Sequence, residues 1–398
     1  MRVLGHPAVT FVAIRVAFLL GTALTLVWVL PSSQAVIAYG AYDPITDYVF
    51  GAFAQWDSDW FLGIADRGYT EQSAAFFPLY PALVYALGWV IGSNLVAAVL
   101  ISLAGAAVAA WALVEIARPL IGEKAARDSM LLLALYPTAF VFTSAYSEGL
   151  FLAFATTSVL AAQRGRPWLA GLLGGFAVGT RSIGVALIPA LVVLLWPKSR
   201  GQIPQLAPVI LLPLMGLASV ALTFDLALDD ALAFAHAQKY WDRDPSVLGP
   251  LGGVYEALRG VPDSLNGLTS LPRRLGTPGE AFSVVDSVRM QQGQLAIWNV
   301  VDLLALAGAI ALTVVAYRRL GLAFALYSVA ILAIITSAPG RSIPLHSMVR
   351  LLMVDFPLFM AGAALVSGRP QLRTGVLVTL GALSALAGAA FARKLWVA

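Results

Sequence analysis

The chain has 398 residues, of which 60% are hydrophobic and 12% charged, with a mean hydropathy of +0.83. That balance describes an integral membrane protein and excludes a soluble domain of ordinary size, since the longest polar segment is only about 65 residues. The formal charge is +4, yet the bases sit in short loops instead of on one patch, which excludes nucleic acid as the expected partner.

The first apolar run, Ala8 to Leu30, follows Arg2 and His6. It is too long for the core of a signal peptide and has no small-residue cleavage site, so it reads as a retained helix. Spanning the hydrocarbon takes about 20 apolar residues. Runs suited to spans lie at 8–30, 94–117, 130–146, 149–163, 168–181, 182–196, 205–228, 294–317, 321–337, 348–367 and 374–391. They are continuously apolar, unlike the alternating strands of an outer-membrane barrel. The expected fold is therefore an all-α polytopic membrane protein of about eleven spans, residues 1–398 forming a single transmembrane domain.

Charge sets the orientation. With the N-terminus cytoplasmic, the inner segments carry Arg2, Arg118, Lys124, Arg127, Arg164, Arg166, Lys198, Arg200, Arg318, Arg319, Arg369 and Arg373 against Glu123 and Asp128. The two large loops fall outside: 31–76 holds six acids and one base, and 229–293 eight acids and six bases. This asymmetry is the one that positive-inside insertion produces. Residues 77–93 are apolar enough for a helix, but a full crossing there would invert every later loop. Pro78 and Pro81 also break its start. It reads as a re-entrant or interfacial segment, which extends the first external loop to 31–93. In loop 229–293, GPLGG and LPRRLGTPG argue against long helices.

The densest polar stretch is Gln55 to Pro81, where Asp57, Asp59, Asp66, Arg67 and Glu71 alternate with Trp56, Trp60, Phe61 and Tyr69. Acids and aromatics after a span form a surface suited to the headgroup layer and to chemistry on lipid-linked substrates. In a helix over 45–68, Asp57 and Asp59 lie about 200° apart, so one faces the reaction centre while the other orients it or caps backbone. A general base beside an acceptor hydroxyl is the functional reading, and a solvated acidic loop the bland one. Glu148, in the turn YSE, reads equally as an acid at a helix N-terminus or as a site residue. Arg181, in GTRS, needs an anion, either a carboxylate of this protein or a ligand phosphate. Gln238, Trp241 and Arg243 in AQKYWDR come from a later external segment. His346 and Arg350, four apart on one helix face, suit a phosphate group or simple headgroup anchoring.

Trp28, Trp89, Trp196, Trp298 and Trp396 fall near span ends as belt residues. Asp225, Asp302 and Asp355 lie in or near spans, where pairing with an arginine such as Arg350 or a proton pathway would account for them. Cysteine is absent, and His6, His236 and His346 show no zinc spacing. Nucleotide fingerprints are absent as well.

The string WDSDWFLGIADRGY with AAFFPLYP resembles the PIG-V-like family, the glycosylphosphatidylinositol mannosyltransferase II type and its bacterial relatives. LYPTAFVFTSAYSEGLF, GTRSIG, AHAQKYWDR and HSMVRLLMVDFPLF follow in the same order, so the likeness runs from about residue 55 to 360. The resemblance implies a GT-C glycosyltransferase with external interfacial helices in its first loop, using a polyprenyl-phosphate sugar on the non-cytoplasmic face. It implies no metal and no cofactor. Asp57 would be the catalytic base and Asp59 the second acid. Glu148, Arg181, Gln238, Trp241, Arg243, His346 and Arg350 would bind substrate. The expected partners are a polyprenyl-phosphate mannose donor, a glycolipid acceptor and membrane lipids. The alanine-rich, arginine-rich composition suits a bacterial plasma-membrane enzyme. A transporter or flippase of a lipid-linked sugar is the rival reading, expected to show internal repeats and mid-membrane charges.

Overall fold

A computed structural model of the chain describes residues 6–29, 54–197, 199–270 and 284–392. Among these residues the only extended pairing is an isolated antiparallel bridge between Arg243 and Gly340; the regular structure is helical. Residues 30–53, which hold the first part of the expected first loop and the start of the expected helix over 45–68, lie outside the described residues, as do 271–283.

Two compact units are formed. The first comprises Met1–Ala237, Leu312–Ser328 and Met353–Val397. It carries α1 (Pro7–Val29), α2 (Asp57–Arg67), α3 (Leu79–Ile91), α4 (Asn94–Ala134), α5 (Glu148–Gln163), α6 (Pro167–Thr180), α7 (Leu187–Leu194), α8 (Leu206–Leu228) and the single turn α9 (Ala233–His236). The second unit comprises Gln238–Ala311 and Val329–Leu352, with α10 (Pro250–Arg259) and α11 (Val261–Ser270). The long helices α12 (Val284–Leu320) and α13 (Leu322–Thr336) each contribute residues to both units. The short α14 (Met348–Leu351) belongs to the second unit, α15 (Phe356–Val366) and α16 (Pro370–Ala392) to the first.

Among the described residues, four helical segments can cross a membrane by length and composition: Asn94–Ala134, Gly201–Leu228, Ile297–Leu320 and Pro370–Ala392. A fifth is added if Met348–Val354 and Phe356–Val366, bent by 87°, count as one broken span. The expected figure of about eleven is not reached on this measure. Several apolar runs are divided instead: 182–196 becomes a 3-10 turn, Ser182–Ala186, followed by the eight-residue α7. The apolar run 77–93 forms the 13-residue α3, closed by Gly92 at φ 79°.

The expected loop at 118–129 is helical. Glu115–Arg118 and Glu123–Arg127 ion pairs, three and four residues apart, support a polar stretch of α4 that apolar periodicity would end. The break falls instead at Gly122, at φ 81° and ψ 163°, a conformation open to glycine. The expected span 130–146 is helical only to Ala134, then continues as a 3-10 turn at Ala139–Thr143.

Helices α4 and α5 pack with their backbones almost touching. A Cβ on Gly149 would overlap the Ser102 carbonyl oxygen, and one on Gly105 would lie 2.7 Å from the Gly149 carbonyl carbon. Further along, Arg164 stands 3.8 Å from Glu115. Positions 102, 105 and 115 of α4 thus meet 149 and 164 around α5 in the same order, so the two helices run parallel. Parallel neighbours require a return pass between them, and residues 123–146 supply it.

Buried polar groups lock the other helices of this unit. Arg15, buried in the apolar first helix and unremarkable in the sequence pattern, donates from Nη1 to the Ala134 carbonyl at 2.9 Å. A cation at the C-terminal carbonyls of α4 is well placed against the helix dipole. Asp128, expected in a solvated inner loop, is buried and accepts from Ser367 Oγ at 2.7 Å and Arg373 Nε at 2.9 Å. That contact ties α4 to α15 and α16.

Candidate functional site

The WD motif opens α2. Trp56 precedes it at φ 59°, a positive φ rare for a bulky side chain and a sign of local backbone strain. The chain therefore turns abruptly, and Asp57 becomes the first residue of the helix, where the backbone dipole favours a carboxylate. Asp57 is half-buried, and Asp59 lies in the same first turn.

Aromatic side chains hold this helix from below. Phe61 meets Phe76 and Tyr80 edge-to-face at 4.9 and 4.8 Å, and Trp60 stacks on Phe76 at 6.1 Å. Phe61, Phe77 and Tyr80 are buried, so FFPLYP serves as the floor of the WD helix. Part of the expected headgroup-facing surface is thus core, while Trp56 stays exposed. Tyr69 donates from its hydroxyl to the Phe76 carbonyl at 2.8 Å. Burial pushes its hydroxyl well above the usual phenol range, which leaves it a neutral donor and no base.

A chain of hydrogen bonds joins the WD helix to the YSE turn. Tyr146 donates from its hydroxyl to the Gln55 carbonyl at 3.3 Å. The Tyr146 carbonyl accepts from Ser102 Oγ at 2.6 Å, and Ser102 shares a 2.9 Å hydrogen bond with the Tyr80 hydroxyl. On the outer flank, Asn94 Nδ2 donates to Asp66 Oδ1 at 2.5 Å. Asp57 and Glu148, far apart in sequence, are each within two residues of this chain. Tyr80 and Tyr146 stand in the motifs FFPLYP and YSE but are not among the expected site residues, and Ser102 lies in apolar context that marks nothing.

Glu148 is the first residue of α5, and its side chain is 1% exposed. Its partner is Arg181: Nη1 lies 2.9 Å from Glu148 Oε1 and 2.9 Å from Ser147 Oγ. The anion that Arg181 requires is therefore a carboxylate of this protein. Ser147, at the N-cap position, makes no cap hydrogen bond and serves Arg181 instead. Arg181 follows α6 in extended conformation, and its side chain is 18% exposed.

Beside this end of α4 and α5 runs a groove of about 790 Å³, lined by Leu83, Leu87, Ile101, Gly105, Leu150 and Phe154 among others. Its walls are aliphatic and aromatic, and Leu150 stands two residues from Glu148.

In the second unit, the stretches AQKYWDR and HSMVR are laced together. Arg243 Nη2 donates to the His346 carbonyl at 3.2 Å, and the Arg243–Gly340 bridge lies alongside. Ser342 N donates to Asp242 Oδ2 at 2.9 Å, and Arg341 pairs with Asp244 at 2.6 Å. Gln238 accepts the Arg243 amide on its carbonyl at 3.2 Å, and Trp241 closes the 3-10 turn Ala237–Trp241.

His346 and Arg350 do not share a helix face. Helix α14 begins only at Met348, and Ser347, at φ 64°, separates His346 from it. A four-residue spacing implies a common face only when the backbone between is helical. The turn is held by Asp302 of α12, buried, whose carboxylate accepts the backbone N–H groups of Met348 and Val349. Asp355 accepts from Ser328 Oγ at 2.6 Å. A backbone amide pair and a hydroxyl thus meet these carboxylates, where an arginine was expected.

Residues 11–196 match the family model described as "Mannosyltransferase (PIG-V)". Over those residues the chain is similar to the PIG-V mannosyltransferase family. The matched region holds Asp57, Asp59, Glu148 and Arg181; the cluster of the second unit lies beyond it. The chain is 33% identical over 215 residues to GPI alpha-1,6-mannosyltransferase 2 of Rattus norvegicus, and that match covers 50% of this chain and 42% of the rat protein. Against the Homo sapiens protein of the same name it is 28% identical over 166 residues, 37% of this chain and 33% of that one. The chain thus spans less than half the length of these relatives. Among solved structures it is similar to the Archaeoglobus fulgidus oligosaccharyltransferase, with 15% identity, a TM-score of 0.43 and coverage of 94% of this chain and 53% of that one. Similarity extends to ArnT from Cupriavidus metallidurans, with 15% identity, a TM-score of 0.35 and coverage of 95% and 75%.

Proposed function

We propose that the chain is an inverting, GT-C-type mannosyltransferase. It moves a mannosyl residue from a polyprenyl-phosphate mannose donor to a lipid-linked or glycolipid acceptor on the non-cytoplasmic face. The observation that carries this reading is Asp57: a half-buried carboxylate at a helix N-terminus, fixed by a strained Trp56 and tied through Gln55 and Tyr146 to the Glu148–Arg181 pair.

The chemistry asks for two things. The acceptor hydroxyl attacks the anomeric carbon as its proton passes to a carboxylate. The bond from that carbon to the donor phosphate breaks, and polyprenyl phosphate leaves with the bonding pair. Asp57 takes the proton, and Asp59 orients the first turn of α2. The growing phosphate charge requires fixed cationic donors. Arg181, its position set by Glu148, supplies one. Arg243, His346 and Arg350 of the second unit are assigned to substrate binding, with Gln238 and Trp241 contacting sugar or acceptor. The apolar groove suits a prenyl chain, and its wall at Leu150 leads towards the Glu148 end.

Purified protein incubated with radiolabelled polyprenyl-phosphate mannose and a lipid extract tests the reading. Sugar transferred to a lipid supports it; movement of intact donor between leaflets supports a flippase. Asp57→Asn should retain its elution profile yet lower transfer by about 10²–10⁴-fold, the range for loss of a general base. Normal turnover in that variant removes Asp57 from the mechanism.

A further inference from the structure

Helix α10 presents its apolar residues outwards. Leu251, Tyr255 and Leu258, spaced to lie on one face, are 69%, 53% and 57% exposed, and Val247 and Leu248 extend the same stripe. The buried face carries Gly252, Gly253 and Ala257. A soluble helix of this composition would turn the other way, with leucines inwards and small residues out. Here the small side chains permit close seating: a Cβ on Gly253 would lie 2.7 Å from the Thr336 carbonyl oxygen.

Two contacts fix the height of this helix. Thr336 is the last residue of α13, an apolar helix. Asn299, near the start of the span Ile297–Leu320, donates from Nδ2 to the Ala257 carbonyl and to Ser264 Oγ, each at 3.1 Å. Helix α10 therefore sits where α13 ends and the α12 span begins. Lower on the same unit, Leu304 and Val329 are exposed on those two helices, as lipid-facing residues of spans are.

We propose that α10 is an in-plane membrane anchor, whose Leu251–Tyr255–Leu258 face is covered by the headgroup and upper acyl layer of the bilayer. The stripe continues the lipid-facing surface of the spans it caps, and Glu256 and Arg259 stay exposed beside it. An amphipathic helix of this kind buries its apolar face about 5–10 Å into the headgroup–acyl boundary. The assignment stands apart from the catalytic reading, because it uses none of the proposed site residues.

The chain contains no cysteine, so single cysteines carry a spin label without background. The full chain in phosphatidylcholine–phosphatidylglycerol nanodiscs would be labelled separately at Leu251→Cys, Leu258→Cys, Glu256→Cys and Leu304→Cys. Collision of the label with oxygen and with a water-soluble nickel chelate reports depth. The ratio of oxygen to nickel collision should be several-fold higher at positions 251 and 258 than at 256, and should approach that at 304. A ratio at 251 and 258 equal to that at 256 places the face in water and overturns the proposal. Protection from both reagents, or spectra that sharpen on dilution, would mean a protein partner or second copy covers it, and also overturns it.

Discussion

At the scale of single residues, the Glu148–Arg181 pair decides the most. A carboxylate 1% exposed keeps its charge tolerably only with a cation against it, and Arg181 is that cation at 2.9 Å. Arg181→Met should therefore lower stability by about 3 kcal/mol, the lower end for stranding a buried charge. Glu148→Gln should cost less, since Arg181 keeps some access to water. The double variant should be more stable than the sum of the two losses, as coupled neighbours are. Thermal unfolding of the four proteins in detergent measures the coupling, and strict additivity would dissolve the pair. The need of Arg181 for an anion was legible in the sequence, because a lone arginine among apolar residues is costly alone. Which anion was not legible, because Glu148 lies 33 positions upstream and only the fold joins them. His346 and Arg350 show the opposite failure: their spacing implied a shared face, and one left-handed serine, Ser347, removed it.

At the scale of elements, the contact between α4 and α5 sets the site. Gly105 and Gly149 face one another at backbone distance, so an added methyl has nowhere to go. Gly149→Ala should drive the helices apart at a cost of about 1–3 kcal/mol, as overpacking does. The shift would also displace Glu148, its neighbour, and the Ser102–Tyr146 hydrogen bond that links the YSE turn to the WD helix. Both the unfolding temperature and the transfer rate should fall, whereas Gly122→Ala, distant from this contact, should lower stability alone. A Gly149→Ala protein with unchanged rate and stability would contradict the close packing. Boundaries of α5, α6 and α8 were readable to within a residue or so, since apolar runs there end at Arg164, Arg181 and Asp229. The helix across 118–129 was not readable, because ion pairs and not apolar residues sustain it.

At the scale of the whole chain, charge and packing within the first unit point the same way. The parallel course of α4 and α5 places Ser102, Tyr146, Gly149 and, through Asn94, Asp66 towards one end. Glu115, Arg118 and Arg164 gather towards the other, which is the base-rich end expected to stay in the cytoplasm. Asp57 then belongs to the opposite end, the one that the proposed function sets outside, with a lipid-anchored donor. Cysteine mapping tests this on the natural cysteine-free background. In intact spheroplasts a membrane-impermeant maleimide should label Asp66→Cys, while Arg166→Cys should react only after the membrane is opened. Labelling of both from the same side would break the parallel-pair topology, and exclusive labelling of Arg166→Cys from outside would move Asp57 to the cytoplasm and end the proposal for a lipid-anchored donor.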